Sequence, residues 1–325
     1  MHRVRRLALT LALALTAAAL SGASAKALEI QSVQRFGPRL LDVTLSTPAL
    51  SEPTHVRVLL PRGYRRSRDR YPVLYLLHGA SGNYTSWTGS ALRQTKRLPL
   101  IVVTPDGGTN GWYSDWYNDG RGGPPMWETY HVGELIPWID SRFRTKAVRR
   151  ARAVAGYSMG GFGALSYAAR HPDLFSVAAS FSGAVDSNYA PLEPLFEYQR
   201  TPAGNPAVWG PRDTQEARWR AHNPWDLAAQ LSSTHILLFT GNGQAGGYYG
   251  GGFDSLEAGI EQMNIDLDER LNELGIAHLF QDRPGTHAAV YAKHDLTETL
   301  RYLTQMLPHP PIGQHARSHG SRHSG

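Results

Sequence analysis

The chain has 325 residues, 18% charged and 41% hydrophobic, enough for one large packed domain. The net charge of +6 sits largely at the ends, on Arg3, Arg5, Arg6, Arg317 and Arg322, so the body is near neutral and carries no nucleic-acid footprint. With no cysteine, disulfides, thiolate metal sites and a lipidated N-terminal cysteine are excluded.

Residues 1–25 read as a secretory signal peptide. A basic start precedes an apolar run from Leu7 to Leu20, and Ala23-Ser24-Ala25 is a small-x-small cleavage site. The apolar run is short for a bilayer span, so an exported protein without a stable membrane anchor is expected. The Arg5-Arg6 pair raises the twin-arginine route beside the general one. Residues 28–307 read as a single domain. Residues 308–325 read as a disordered tail rich in His, Arg, Ser and Gly. His315, His319 and His323 are four apart, but nothing there suggests a helix, so a solvated tail is expected rather than a metal site.

Within the domain, strands alternate with helices. The segment 54–61 alternates in polarity. The segments 71–79, 98–108, 151–158, 175–183, 235–243 and 277–285 carry short apolar runs. Runs of this length suit strands buried on both faces of a parallel sheet. Helical spacing appears over 126–143, 161–171 and 255–275, the last through Leu256, Ile260, Met263, Leu267 and Leu271. The pattern predicts an α/β fold: a mostly parallel, doubly wound sheet with helices on both faces.

Between one such strand and helix lies Gly156-Tyr157-Ser158-Met159-Gly160. A G-x-S-x-G in a strand–turn–helix setting is a nucleophile elbow, which makes Ser158 the candidate nucleophile. A serine needs a base to take its proton. His287, in the loop after the last strand, lies where that base belongs. An oxyanion hole needs two backbone N–H groups. Met159, next after the serine, and Ala80, after the strand ending in His78-Gly79, are the candidates. The acid is open among Asp254, Glu257 and the later acids of the 255–275 helix. Asp254 and Glu257 lie at its start, where "DSLE" reads as an N-cap with an acid three residues on.

The loop "GWYSDWYND" (111–119) follows a strand at the carboxyl edge of the sheet, where sites gather. Trp112, Tyr113 and Trp116 are expected to wall a substrate site, the alternative being a self-packed surface loop. The glycine-rich segment 241–254 lacks a phosphate-loop signature and reads as a flexible loop near the pocket. No cofactor and no metal are expected.

From about residue 54 to 305 the chain resembles the esterase-D-like branch of the α/β hydrolases, specifically the antigen-85 mycolyltransferase and acyltransferase family. The resemblance rests on "WYSDWY" (112–117), "MWET" (126–129), "GYSMGGFGAL", "VWGP" (208–211), "LEAGIEQMN" (256–264) and "PGTH" (284–287). It implies a secreted enzyme that acylates its own serine from an acyl ester or glycolipid. The acyl group then passes to water or to a sugar or glycerol hydroxyl. It also implies Glu257 as the triad acid, since "LEAGIEQMN" matches the family segment carrying the catalytic glutamate. The chain departs from the family at three places. His78-Gly79-Ala80-Ser81 stands for Asp-Gly-Leu-Arg, His287-Ala288-Ala289 for His-Ser-Trp, and Thr240 for a cysteine. The acid and the arginine associated with a sugar acceptor are thus missing, and so is the tryptophan that forms a large wall of the pocket mouth. A second class is a non-catalytic secreted carbohydrate- or matrix-binding member of the same family.

Overall fold

The computed structural model describes residues 28–309. The signal-peptide expectation, and the tail beyond residue 309, lie outside the described residues. Nine strands form one sheet: β1 (Glu29–Phe36), β2 (Leu40–Ser46), β3 (Thr54–Leu59), β4 (Val73–Leu77), β5 (Ile101–Pro105), β6 (Arg152–Tyr157), β7 (Val177–Phe181), β8 (His235–Gly241) and β9 (His278–Arg283). Their order is β1-β2-β3-β5-β4-β6-β7-β8-β9. The pairs from β5 through β4 to β9 are parallel, and those from β1 to β5 through β2 and β3 are antiparallel.

The parallel strands are apolar on both sides because both sides are covered. On β4, Tyr75 and Leu77 enter one core while Leu74 and Leu76 enter the other. The first core is closed by α2 (Ile136–Arg142), α3 (Met159–Arg170) and α6 (Ser255–Glu273). The second is closed by α1 (Thr88–Gln94) and, after two short helices α4 (Glu193–Phe196) and α5 (Arg212–Arg220), by α7 (Ala289–Met306). On α6, Ile260, Met263, Leu267 and Leu271 are the buried apolar stripe. Each such side chain contributes about 1.5–3 kcal/mol by leaving water.

Two features differ from the sequence reading. The β1–β2 hairpin precedes the seven expected strands; β1 is exposed along its whole length, so it lacks the apolar run that marks the others. The helix expected over 126–143 is split into a π-helical stretch, Thr129–Leu135, and α2. Pro137 sits in the first turn of α2 and has no N–H to give to an α-helical partner.

The "YSDWY" and "WET" stretches join at the start of the π-helical stretch. Asp115 accepts hydrogen bonds from the Thr129 N–H (3.0 Å) and hydroxyl (2.5 Å). Glu128 accepts from Arg170 Nε (2.8 Å) and His171 Nε2 (2.7 Å), at the end of α3. Burial alone would raise the Glu128 carboxyl, but hydrogen bonds from His171 and Arg170 and the guanidinium charge outweigh it. They hold the pKa at about 2, against an ordinary value of 4.5.

A depressed carboxyl pKa stabilises the fold fully above the ordinary value, and that stability is lost as pH falls towards the folded value. Glu128→Gln should therefore cost up to about 3 kcal/mol near neutral pH. The deficit should narrow between pH 4.5 and 2. Urea unfolding of both proteins across that range measures it; a deficit unchanged at pH 2.5 would refute the ion-pair origin.

Candidate active site

The site is built on the turn between β6 and α3. Ser158 holds φ 55° and ψ −118°, in a left-handed region that L-residues rarely adopt. A Cβ on Gly156 would lie 2.1 Å from the Gly160 carbonyl oxygen, and one on Gly160 would lie 2.5 Å from that of Leu77. Glycine at both places is therefore a steric requirement of the turn. The Ser158 carbonyl accepts the Gly161 and Phe162 N–H groups, so α3 starts immediately after the serine.

The serine hydroxyl lies 2.9 Å from His287 Nε2. His287 Nδ1 lies 2.5 Å from Glu257 Oε2. A fully buried carboxylate beside Nδ1 fixes the proton there, which leaves Nε2 as the acceptor for the serine. Glu257 is 0% exposed, and its second oxygen is also used. Oε1 accepts the Gly241 N–H and the Ser182 hydroxyl, both at 2.6 Å. Gly241 ends β8, so Glu257 reaches from α6 to the edge where the strand-end acid of many such folds would lie.

Asp254 is the N-cap of α6, accepting from the Leu256 and Glu257 N–H groups at 3.0 and 3.2 Å. Its other oxygen accepts the His287 backbone N–H at 2.8 Å. Burial disfavours its charge, but these N–H donors outweigh that and lower its pKa. Of the two acids at the start of the helix, Glu257 thus meets the imidazole ring and Asp254 meets the backbone. Further along, Asp268 pairs with His278 (2.7 Å) and Glu273 with Arg270 (3.0 Å), away from the ring.

Of the two expected oxyanion donors, Met159 follows the serine in the chain and Ala80 lines the same cavity. Neither the Ala80 nor the Met159 N–H has a backbone acceptor among the described residues. The loop carrying Ala80 is tied down from behind. The Tyr113 hydroxyl donates to the His78 carbonyl (2.8 Å), and His78 Nε2 accepts the Gly107 N–H (2.9 Å).

A cavity of about 900 Å³ opens above Ser158 and His287. Its walls are mainly apolar, from Pro191, Leu192, Pro194 and Leu195 on one side and Leu256 and Ile260 on the other. Ser81, Thr109 and Asn110 add polar groups. The 190–199 wall was not legible in the sequence. "APLEPLF" (190–196) is broken by prolines into a 3₁₀ turn and the single-turn helix α4, so it has no periodicity to read.

The aromatic loop needs correction. Of Trp112, Tyr113 and Trp116, only Trp112 lines the cavity, and it is 3% exposed, packed against Phe162 and Phe196. Tyr113 is 1% exposed and holds the loop carrying Ala80 through the His78 carbonyl. Trp116 donates its indole N–H to the Gly111 carbonyl (3.1 Å) and does not reach the cavity. The cause is local: Trp112 and Tyr113 both have φ 51°, which coils the loop inward. Among the described residues no group of three or more His, Asp or Glu side chains could hold a metal ion. No helix among them is long and apolar enough to cross a membrane.

In comparison with known proteins, the family model named Esterase matches residues 47–303. Esterase Rv1288 of Mycobacterium tuberculosis (strain ATCC 25618 / H37Rv) is 36% identical over 262 residues. The match covers 77% of this chain and 56% of that protein, so the chain spans about half the length of this relative. Diacylglycerol acyltransferase/mycolyltransferase Ag85B of Mycobacterium leprae (strain TN) is 32% identical over 255 residues, 70% of this chain and 76% of that protein. The solved S-formylglutathione hydrolase from Agrobacterium tumefaciens superposes with a TM-score of 0.68 at 21% identity, over 86% of this chain and 99% of that one. The last likeness establishes the fold, and the first three the lineage. With its mostly parallel sheet and elbow serine, the chain belongs to the esterase family of α/β hydrolases, with antigen-85 proteins among its relatives.

Proposed function

We propose that this chain is an exported serine esterase or acyltransferase working through an acyl-serine intermediate. The observation that carries the reading is the unbroken line from Ser158 through His287 to buried Glu257, at the mouth of an apolar cavity. A carbohydrate- or matrix-binding protein has no need of an aligned serine, imidazole and buried carboxylate.

The ester places its acyl arm in the cavity, with its carbonyl oxygen between the Ala80 and Met159 N–H groups. Ser158 Oγ attacks the carbonyl carbon while its proton passes to His287 Nε2. The negative oxygen of the tetrahedral intermediate is held by the two N–H groups. Glu257 keeps the ring oriented and stabilises its charged form. The intermediate collapses, the alkoxy group leaves with the proton from His287, and the acyl group stays on Ser158. A water or alcohol hydroxyl then attacks the acyl-serine by the same steps in reverse. The diacylglycerol acyltransferase/mycolyltransferase name of the Ag85B relative supports an alcohol acceptor, such as glycerol or a sugar. The small residues at Ala80-Ser81 and Ala288-Ala289 argue against the same sugar contacts. The signal-like segment 1–25 supports export.

Ser158→Ala should lower kcat/KM for p-nitrophenyl esters by about 10⁴-fold or more, because triad members act as a unit. Glu257→Gln should lower it by about 10²–10⁴-fold. A Ser158→Ala enzyme keeping a tenth of wild-type turnover, with an unchanged circular dichroism spectrum, would rule Ser158 out as nucleophile. Supplying glycerol or trehalose to the acyl-enzyme separates transfer from hydrolysis, read as acylated acceptor against free acid.

The cavity yields a chain-length prediction. Leu195→Trp should fill part of the acyl space, cutting kcat/KM for octanoyl and longer esters by about tenfold while sparing acetyl esters. An equal loss on acetyl and long-chain esters would mean that this wall does not hold the acyl arm.

A further inference from the structure

His287 sits in a loop, between the end of β9 at Arg283 and the start of α7 at Ala289. Its backbone makes no sheet or helix bond among the described residues; both of its polar groups are bonded to side chains instead. The N–H donates to Asp254 Oδ2 at 2.8 Å. The carbonyl accepts the Tyr157 hydroxyl at 2.5 Å. The ring, in turn, is held by Glu257.

These two partners are placed to set the geometry of the reacting groups. Tyr157 immediately precedes the serine. A Cβ on Gly79 would lie 2.8 Å from its ring, so the ring packs against the loop carrying Ala80. Its centroid is 5.1 Å from that of His287. One side chain therefore touches the elbow, the oxyanion loop and the base. Burial raises the Tyr157 pKa, as do the nearby charges of Glu257 and Asp254, so the hydroxyl keeps its proton to donate. Asp254, by capping α6, fixes the backbone of Glu257 with one oxygen and that of His287 with the other. The acid and the base of the line are thus registered through one carboxylate.

We infer that Tyr157 and Asp254 are positioning residues that clamp the backbone of His287, so that Nε2 stays within reach of Ser158. The inference rests on the Ser158–His287 reading above. It goes beyond it by assigning a role to a hydroxyl and a carboxylate that never touch the reacting atoms.

Two substitutions isolate the clamp from the fold. Tyr157→Phe keeps the ring and removes only the hydroxyl. Asp254→Asn keeps a good N-cap, since asparagine caps about as well as aspartate. With its oxygen on the α6 N–H groups, however, it turns an amide donor towards the His287 donor. Asp254→Ala loses both functions and serves as the structural comparison. Misplacement of a reacting group by about 1 Å can cost on the order of 10²-fold in rate. Tyr157→Phe and Asp254→Asn should each lower kcat by about tenfold or more while KM changes less than about threefold. Labelling of Ser158 by a fluorophosphonate should slow in parallel, since that reaction needs the same proton transfer. The melting temperature should stay within about 2 °C of wild type for Asp254→Asn and fall further for Asp254→Ala. With Ser158→Ala inactive, the inference is overturned if either variant keeps kcat within about twofold of wild type. It is also overturned if the loss falls on KM, or if Asp254→Asn melts as low as Asp254→Ala. An active Ser158→Ala enzyme would instead sink the Ser158 reading, and this inference with it.

Discussion

A carboxylate with no exposure to water must find all its partners inside the protein, because burying an unpaired charge is prohibitive. Glu257 meets that constraint through its three shortest bonds, from the Gly241 N–H, the Ser182 hydroxyl and the His287 ring. Each comes from a different part of the chain. Gly241 ends β8, Ser182 follows β7, and His287 lies beyond β9. Satisfying one buried charge therefore fixes how α6 lies against the ends of the parallel strands. That placement also brings Leu256 and Ile260 to the wall of the apolar cavity. Glu257 and the cavity wall are neighbours on one helix, so the proposed acid and the proposed space for the acyl arm cannot move independently.

The other half of the site is constrained by steric contact rather than charge. The elbow brings the backbones of Gly156 and Gly160 closer than any side chain allows, and Gly160 presses on the end of β4. The serine and the loop bearing Ala80 are thereby locked to one another. Tyr113 then holds that loop from below through the His78 carbonyl. The oxyanion hole proposed here can stabilise charge only if its backbone does not relax when the charge appears, and this packing denies it room.

The fold was legible where burial imposes a pattern. Runs such as "VLYLL" and "RAVAGY" are apolar because both faces of the sheet are covered. The elbow was legible because its turn admits only glycine at two places. β1 left no such trace, since an exposed edge strand needs no apolar run. Glu257 stood out only through resemblance, because a capping-box partner and a triad acid look alike in sequence. Tyr113 and Trp116 do not wall the cavity, and the sequence hid this for a related reason. Composition reveals an aromatic loop, but the positive φ at Trp112 and Tyr113 decides whether its rings face solvent or core. The bonds from Tyr157 and Asp254 to the His287 backbone were invisible, because a backbone acceptor or donor has no residue type to recognise.

The most recognisable stretch of the chain and its reactive stretch are therefore different things. "YSDWY" and "WET" identify the lineage far better than the elbow does, yet their polar groups face each other and the scaffold. Asp115 ties Thr129, Glu128 ties Arg170 and His171, and Tyr113 ties His78. Glu128 and Tyr113 reach α3 and the loop after β4, the two elements that flank Ser158. Substitutions in this motif should act through the distance between serine and oxyanion donors, not through lost substrate contacts. The residues that line the cavity, at 190–199 and at Ala80-Ser81, lie on short segments outside the sheet. On the proposed reading, acyl and acceptor preference can change there without disturbing the frame that aligns Ser158, His287 and Glu257.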